Sequence, residues 1–205
     1  MKKIILTLSV LLSIFVFNSC DTKNDVPDLC CFEAAIIELD AQGTVIMTGM
    51  GPVVGGDYTK FSFSDSMVVD GDNWDVAFRS TSIIVNGGIA SDTSQPTRTG
   101  NAAVYIADGI MDDITSVDVS LLLQDTDSST AIIDDFGSDG NGGPGIWYEY
   151  SNQTVTPNAG KIFVFRTHDD KYVKMEILNF YDTPVTNQYG GFYTFNYELS
   201  NTVEF

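Results

Sequence analysis

The chain has 205 residues, enough for one domain with a sizeable core. Hydrophobic residues make up 43% and aromatics 12%, which excludes a disordered polyanion. Ten basic residues stand against 28 acidic ones, a net charge of −18, so no basic footprint exists for DNA, RNA or anionic lipid.

The start of the chain reads as an export signal. Lys2 and Lys3 precede an apolar run over residues 4–17 that is too short to span a bilayer as a helix. The run ends at Asn18-Ser19-Cys20, a small residue before a cysteine. This pattern predicts a signal peptide over residues 1–19 and lipid attachment at Cys20. Residues 20–32 then form an acidic tether, and residues 33–205 a single domain. No second stretch is long enough to cross a membrane, so the lipid anchor is the expected attachment. Adjacent Cys30 and Cys31 are read as two thiols or a contact with another chain, and no spaced cysteine and histidine set for zinc is present.

Strand signals fill the domain. Phe61-Ser62-Phe63-Ser64 alternates apolar and polar residues, as a half-buried strand does. Residues 74–78 form an aromatic and aliphatic run, and residues 82–85 another, closed by the turn signal Asn86-Gly87-Gly88. Residues 102–106 are a further strand. Residues 117–123 fit a short helix or a strand, and residues 134–145 a glycine- and aspartate-rich loop. Trp147-Tyr148-Glu149-Tyr150 opens the C-terminal third. Residues 161–166 are apolar on both faces and so expected to be internal to a sheet. A polar break at Thr167-His168-Asp169-Asp170 predicts a hairpin turn. Val173, Met175 and Ile177 then share one face, with Lys174 and Glu176 on the other, and Tyr193, Phe195, Tyr197 and Leu199 line a last strand. The expectation is an all-β, antiparallel domain with long loops.

Several of these segments together resemble the HmuY family of haem-carrying surface lipoproteins of Gram-negative bacteria. The resemblance rests on Phe61-Ser62-Phe63-Ser64, on Trp74-Asp75-Val76-Ala77-Phe78-Arg79, on Gly87-Gly88 and on Gly100-Asn101-Ala102-Ala103-Val104. It continues through residues 147–150, 161–167, 171–175 and 193–197, and covers roughly residues 58–200. It implies a two-sheet fold whose long loops form a cleft. It also implies an outer-membrane location, exposed on the cell surface, work beside an outer-membrane transporter, and haem as cofactor held between two axial side chains. Here the family's pattern is broken. The position of one ligand histidine is Asn152, a poor iron ligand, and the stretch matching the other has neither histidine nor methionine.

The expected ligand-binding residues are therefore Trp147, Tyr148, Tyr150 and Asn152, flanking the cleft, with Met111 as the best remaining thioether. His168, the only histidine, is either a single metal ligand or an exposed turn residue, and the second reading is preferred. Asp134, Asp135, Asp139 and Asn141 lack calcium-loop spacing and read as a solvated loop. No nucleophile elbow, phosphate loop or zinc-protease motif appears, so no enzyme is expected. The alternative to a ligand carrier is an adhesion or assembly module that binds a protein partner without haem.

Overall fold

The structure, a computed structural model, describes residues 35–49, 51–132, 147–185 and 188–205. The signal peptide, Cys20, the tether, Cys30, Cys31 and the loop acids from Asp134 to Asn141 lie outside the described residues. Among the described residues no helix is long and apolar enough to cross a membrane.

The strands in chain order are β1 Ala35–Asp40, β2 Thr44–Thr48, β3 Gly51–Gly55, β4 Thr59–Ser62, β5 Met67–Val68, β6 Val76–Arg79 and β7 Ser82–Val85. They continue with β8 Ala103–Asp108, β9 Tyr148–Ser151, β10 Thr154–Pro157, β11 Lys161–Arg166, β12 Tyr172–Asn179 and β13 Phe192–Ser200. Every pairing between these strands is antiparallel. A five-stranded sheet has the order β1-β13-β12-β11-β8, and a four-stranded sheet the order β5-β4-β6-β7. The β2–β3 and β9–β10 pairs stand as separate two-stranded ribbons.

The side-chain period of two explains how the sheets meet. On β13, Tyr193, Phe195, Tyr197 and Leu199 are buried while the residues between them are half-buried. On the opposing sheet Phe61, Val76, Phe78, Ile83 and Val85 turn the same way, and both sets enter one core. Ring pairs bridge the layers edge-on or tilted: Phe61–Phe195 at 5.4 Å, Phe63–Phe165 at 5.2 Å and Phe78–Tyr193 at 4.8 Å between centroids. The expected two-sheet architecture is what forms.

β11 is covered on both sides, as its composition predicts. Phe163 and Phe165 face the inter-sheet core, while Ile162 and Val164 face a second cluster with Val117, Leu122 and Phe205. That outer cover changes the reading of Lys174, which lies on the polar face of β12 yet is buried. Its ammonium donates to the Ile114 carbonyl at 3.1 Å, meets Glu198 Oε2 at 3.0 Å and sits 4.9 Å from the Phe205 ring. The ambiguous segment at 117–123 resolves into a 3-10 turn at Val119–Leu121, with Leu123 bridging to Val104 on the edge of β8.

Two carboxylates are buried and paired. Asp125 meets Arg98 at 2.8 Å, and Asp75 meets His168 Nδ1 at 2.7 Å. Burial pushes both carboxyls above their ordinary range, outweighing the hydrogen bonds they accept. Hydrogen bonds from Ser94 hold the exposed Asp92 carboxyl below that range. Asp169 is also lowered, because bonds from Thr167 and Lys171 overcome its partial burial. A raised folded-state value contributes stability at low pH that is lost as pH climbs through it, and a lowered one contributes stability lost as pH falls. The lowered groups are already ionised above the ordinary carboxylate range, where Asp75 and Asp125 lose their protons as pH climbs through their raised values. The urea midpoint is therefore expected to be higher at pH 5 than at pH 7.5, and to drop again below about pH 4 as Asp92 and Asp169 protonate. Midpoints that rise steadily from pH 5 to 7.5 would contradict the assignment to Asp75 and Asp125.

Candidate functional site

At one end of the two sheets, four parts of the chain converge on a hollow of about 690 Å³. This lies within the volume range of small-molecule sites. The β6–β7 turn supplies Arg79, Ser80, Thr81 and Ser82. The β9–β10 ribbon supplies Tyr150, Gln153 and Val155, and β3 supplies Val54. The segment between β12 and β13 closes the set with Tyr181, Gln188 and Tyr189.

Local sequence explains why these pieces hold their shape. Asn152 and Gln153 both have positive φ, 50° and 63°, and join paired Ser151 and Thr154. That is the geometry of a tight primed hairpin turn, in which asparagine tolerates the left-handed region. The ribbon is tied down where the Val155 N–H donates to the Tyr181 hydroxyl at 2.9 Å. The β6–β7 turn is held from below, since the Ser80 N–H donates to the Ala41 carbonyl at 2.6 Å and the Tyr193 hydroxyl donates to the Ser80 carbonyl. Gly190 has φ of 65°, and a Cβ there would stand 2.2 Å from the Phe180 ring, so only glycine lets the chain pass from Tyr189 into β13.

The hollow separates the expected site residues. Tyr150 lines it. Trp147 and Tyr148, by contrast, are 1% and 0% exposed and pack in the inter-sheet core, with Trp147 against Tyr193 and Phe180. Asn152 is exposed at the turn tip, where backbone geometry accounts for it, and its neighbour Gln153 is the lining residue. Met111 sits half-buried in a 3-10 turn on the outer face of the five-stranded sheet, packed with Ile162 and Val164. It does not come together with Tyr150.

His168 departs most from its reading as a free turn residue. Its Nδ1 and its backbone N–H both lie 2.7 Å from the same oxygen of fully buried Asp75, whose other oxygen accepts the Phe63 N–H at 2.8 Å. The pair pins the β11–β12 turn to the four-stranded sheet. Asp75, His168 and Asp169 present ligand atoms within 4.8 Å of one another, a spacing that could hold a metal ion. However, Asp169 accepts from Thr167 Oγ1 at 2.7 Å and pairs with the Lys171 ammonium at 3.0 Å. A cation already occupies that carboxylate, so the cluster reads as a clasp. It also lies far from the hollow. Tyr172, beside the clasp, and Tyr181, beside the hollow, are separated by the length of β12, roughly 25–30 Å at about 3.3 Å per residue.

The family model for HmuY proteins matches residues 56–197 of the chain. The chain belongs to the HmuY family. That span of this HmuY-family chain covers β4 to most of β13 and carries all of the hollow except Val54. Among solved structures it is similar to a Bacteroides fragilis chain described as a lipoprotein, at 15% identity and TM-score 0.48, covering 80% of this chain and 89% of that one. It is also similar to a Bacteroides vulgatus chain described as a HmuY-like heme binding protein, at 16% identity and TM-score 0.47, with 80% and 90% covered. A third is an apo HmuY analog of Tannerella forsythia, at 12% identity and TM-score 0.47, with 82% and 95% covered. No curated protein matches the chain as a relative.

The lining residues that sequence reasoning did not find are Arg79, Ser80–Ser82, Gln153, Val155, Tyr181, Gln188, Tyr189 and Val54. One local signal pointed to part of this set: Tyr189-Gly190-Gly191 combines an aromatic with a forced turn before a strand.

Proposed function

We propose that the protein is a lipid-anchored carrier whose hollow holds a small hydrophobic or tetrapyrrole ligand, haem being the cofactor the family implies, for uptake. One observation carries this: a HmuY-family chain with a tyrosine-lined hollow where the β9–β10 ribbon meets the β6–β7 turn. Size and lining suit a flat amphiphilic ring, with Tyr150, Tyr181 and Tyr189 as stacking surfaces. The fit to the family's paired iron ligation is poorer. The described lining offers phenol oxygens and neither imidazole nor thioether. Binding by this chain therefore rests on the ring and its edge groups more than on a ligand pair.

In this reading residues 1–19 are removed, Cys20 carries the lipids, and residues 33–205 form the carrier domain at the outer membrane. It passes its cargo to a transporter there and performs no chemistry on it. Titrating purified protein with haem and following the Soret band tests the proposal. The wild type is expected to shift the band, and Tyr150→Ala to weaken binding about tenfold, the size of one lost ring contact. A spectrum identical to free haem at high protein concentration would remove the haem version.

A protein-docking module remains the second reading. It is favoured by the β2–β3 ribbon, where Ile46, Met47 and Val53 are exposed beside the hollow.

A further inference from the structure

Along the β8 edge of the five-stranded sheet the chain leaves apolar side chains uncovered, and none of them lines the hollow. Leu122 turns in to pack with Ile162 and Val164, while Leu121 and Leu123 on either side of it are 50% and 60% exposed. The backbone is extended at Leu122, which sets the two outward leucines about 6–7 Å apart. Val119, in the 3-10 turn before them, is also exposed. Exposed Ile89 joins them from another part of the chain, because its N–H donates at 2.9 Å to the carbonyl of Asp125, two residues past Leu123. Leu123 is held by paired backbone hydrogen bonds to Val104 at 3.0 and 2.9 Å, so the stripe has a firm base. Scattered exposed side chains need no explanation, but a contiguous apolar stripe marks a contact site.

The flanks of the stripe are acidic. Asp112, Asp113, Asp118 and Asp127 are exposed in the same stretch of chain. No lysine or arginine occurs from residue 99 to residue 160. Four cations from other elements come near, and each is engaged: Lys161 with Asp108, Lys174 with Glu198, Arg98 with Asp125, and Arg166 with Asn101 and Asp170. This charge pattern selects the occupant. A second copy would set carboxylates against carboxylates. A lipid interface would have to take in the carboxylates with the leucines.

We propose that the stripe from Val119 to Leu123 docks a basic protein surface, one whose apolar side chains are flanked by lysine or arginine. The leucines supply the buried contact, and the carboxylates steer and select the partner. Four anchors are few beside the roughly 20–30 residues a side of a stable interface, so the contact is a transient one. It does not depend on what the hollow holds.

The test follows the fluorescence anisotropy of labelled peptides titrated with the mature protein. A peptide of alternating leucine and lysine is expected to bind about tenfold more tightly than oligolysine of the same length, the scale of burying one leucine. Leu121→Ser/Leu123→Ser should remove that advantage and leave oligolysine binding unchanged. Thermal melts show that this variant keeps its fold. Asp112→Asn/Asp113→Asn should weaken the leucine–lysine peptide about threefold. Asp57→Asn/Asp70→Asn, which removes the same charge beside β4 and β5 of the other sheet, should not. No advantage over oligolysine in the wild type, an undiminished advantage in the folded serine variant, or equal weakening by the two asparagine pairs overturns the proposal. So does wild-type binding to phosphatidylcholine vesicles, or a dimer in sedimentation, that the serine variant loses, since either assigns the stripe to another occupant.

Discussion

Replacing Asp125 with alanine is expected to remove about 3–5 kcal/mol from the unfolding free energy, measured by urea titration. Both members of the Arg98–Asp125 pair are buried, with side chains 2% and 1% exposed. Oδ2 accepts from Arg98 Nη2 at 2.8 Å and Nε at 3.2 Å, and from the Val85 N–H at 3.1 Å, while Oδ1 accepts the Ala131 N–H at 2.8 Å. Removing the carboxylate leaves a desolvated guanidinium and two backbone donors without their acceptor. Arg98 keeps only neutral partners, the Pro96 carbonyl at 2.6 Å and Gln95 Oε1 at 2.7 Å, with Trp74 beneath it. The double variant Arg98→Met/Asp125→Ala should recover part of the loss, because the buried charge goes. Recovery should be incomplete, because Val85 and Ala131 still lack an acceptor. A single-variant cost under about 1 kcal/mol would mean that water reaches the pair.

Such pairs also show where sequence reading stops. β7 and β11 could be bounded from composition alone, because each is a short apolar run between turn signals. The alternation on β13 assigned its buried face correctly. β1, β2 and β3 could not. Ala35–Asp40 becomes a strand by pairing with β13, across most of the chain, and Ile36 on it stays exposed. The β2–β3 ribbon is short, glycine-bounded and apolar on its open face, which satisfies no local rule for a half-buried strand. The site follows the same division. Tyr150 was legible because a strand of three aromatics in four residues must present one of them outward. Tyr148 and Tyr150 share one face of β9, so position along the strand separates them: Tyr148, with Trp147 before it, is buried in the core, and Tyr150, packed against that core but only partly buried, lines the hollow. Arg79 was visible only as part of the tryptophan–aspartate segment, with no indication that the β6–β7 turn delivers it beside a ribbon some seventy residues later. Convergence of that kind is set by sheet order, which no local pattern encodes.

The aspartate of that segment carries the other large effect. Asp75→Ala is expected to cost about 2–5 kcal/mol, since the Phe63 and His168 N–H groups each lose a buried acceptor worth about 1–3 kcal/mol. His168→Ala, which removes only the ring, should cost about 1 kcal/mol. Among the described residues the ring hydrogen-bonds to Asp75 alone, so the double variant should be little worse than Asp75→Ala alone, and a thermodynamic cycle should show coupling. The same variant settles what the only histidine is for. A clasp that joins the β11–β12 turn to the four-stranded sheet, at the far end of β12 from the hollow, would not touch a ligand held in the hollow. His168→Ala should therefore leave the Soret maximum and the haem affinity unchanged while lowering the melting temperature. Any ligand held by iron at His168 would reverse that pattern. The band would move in the variant, and the bound ring would lie against Asp75 and Asp169, at the other end of β12 from the hollow.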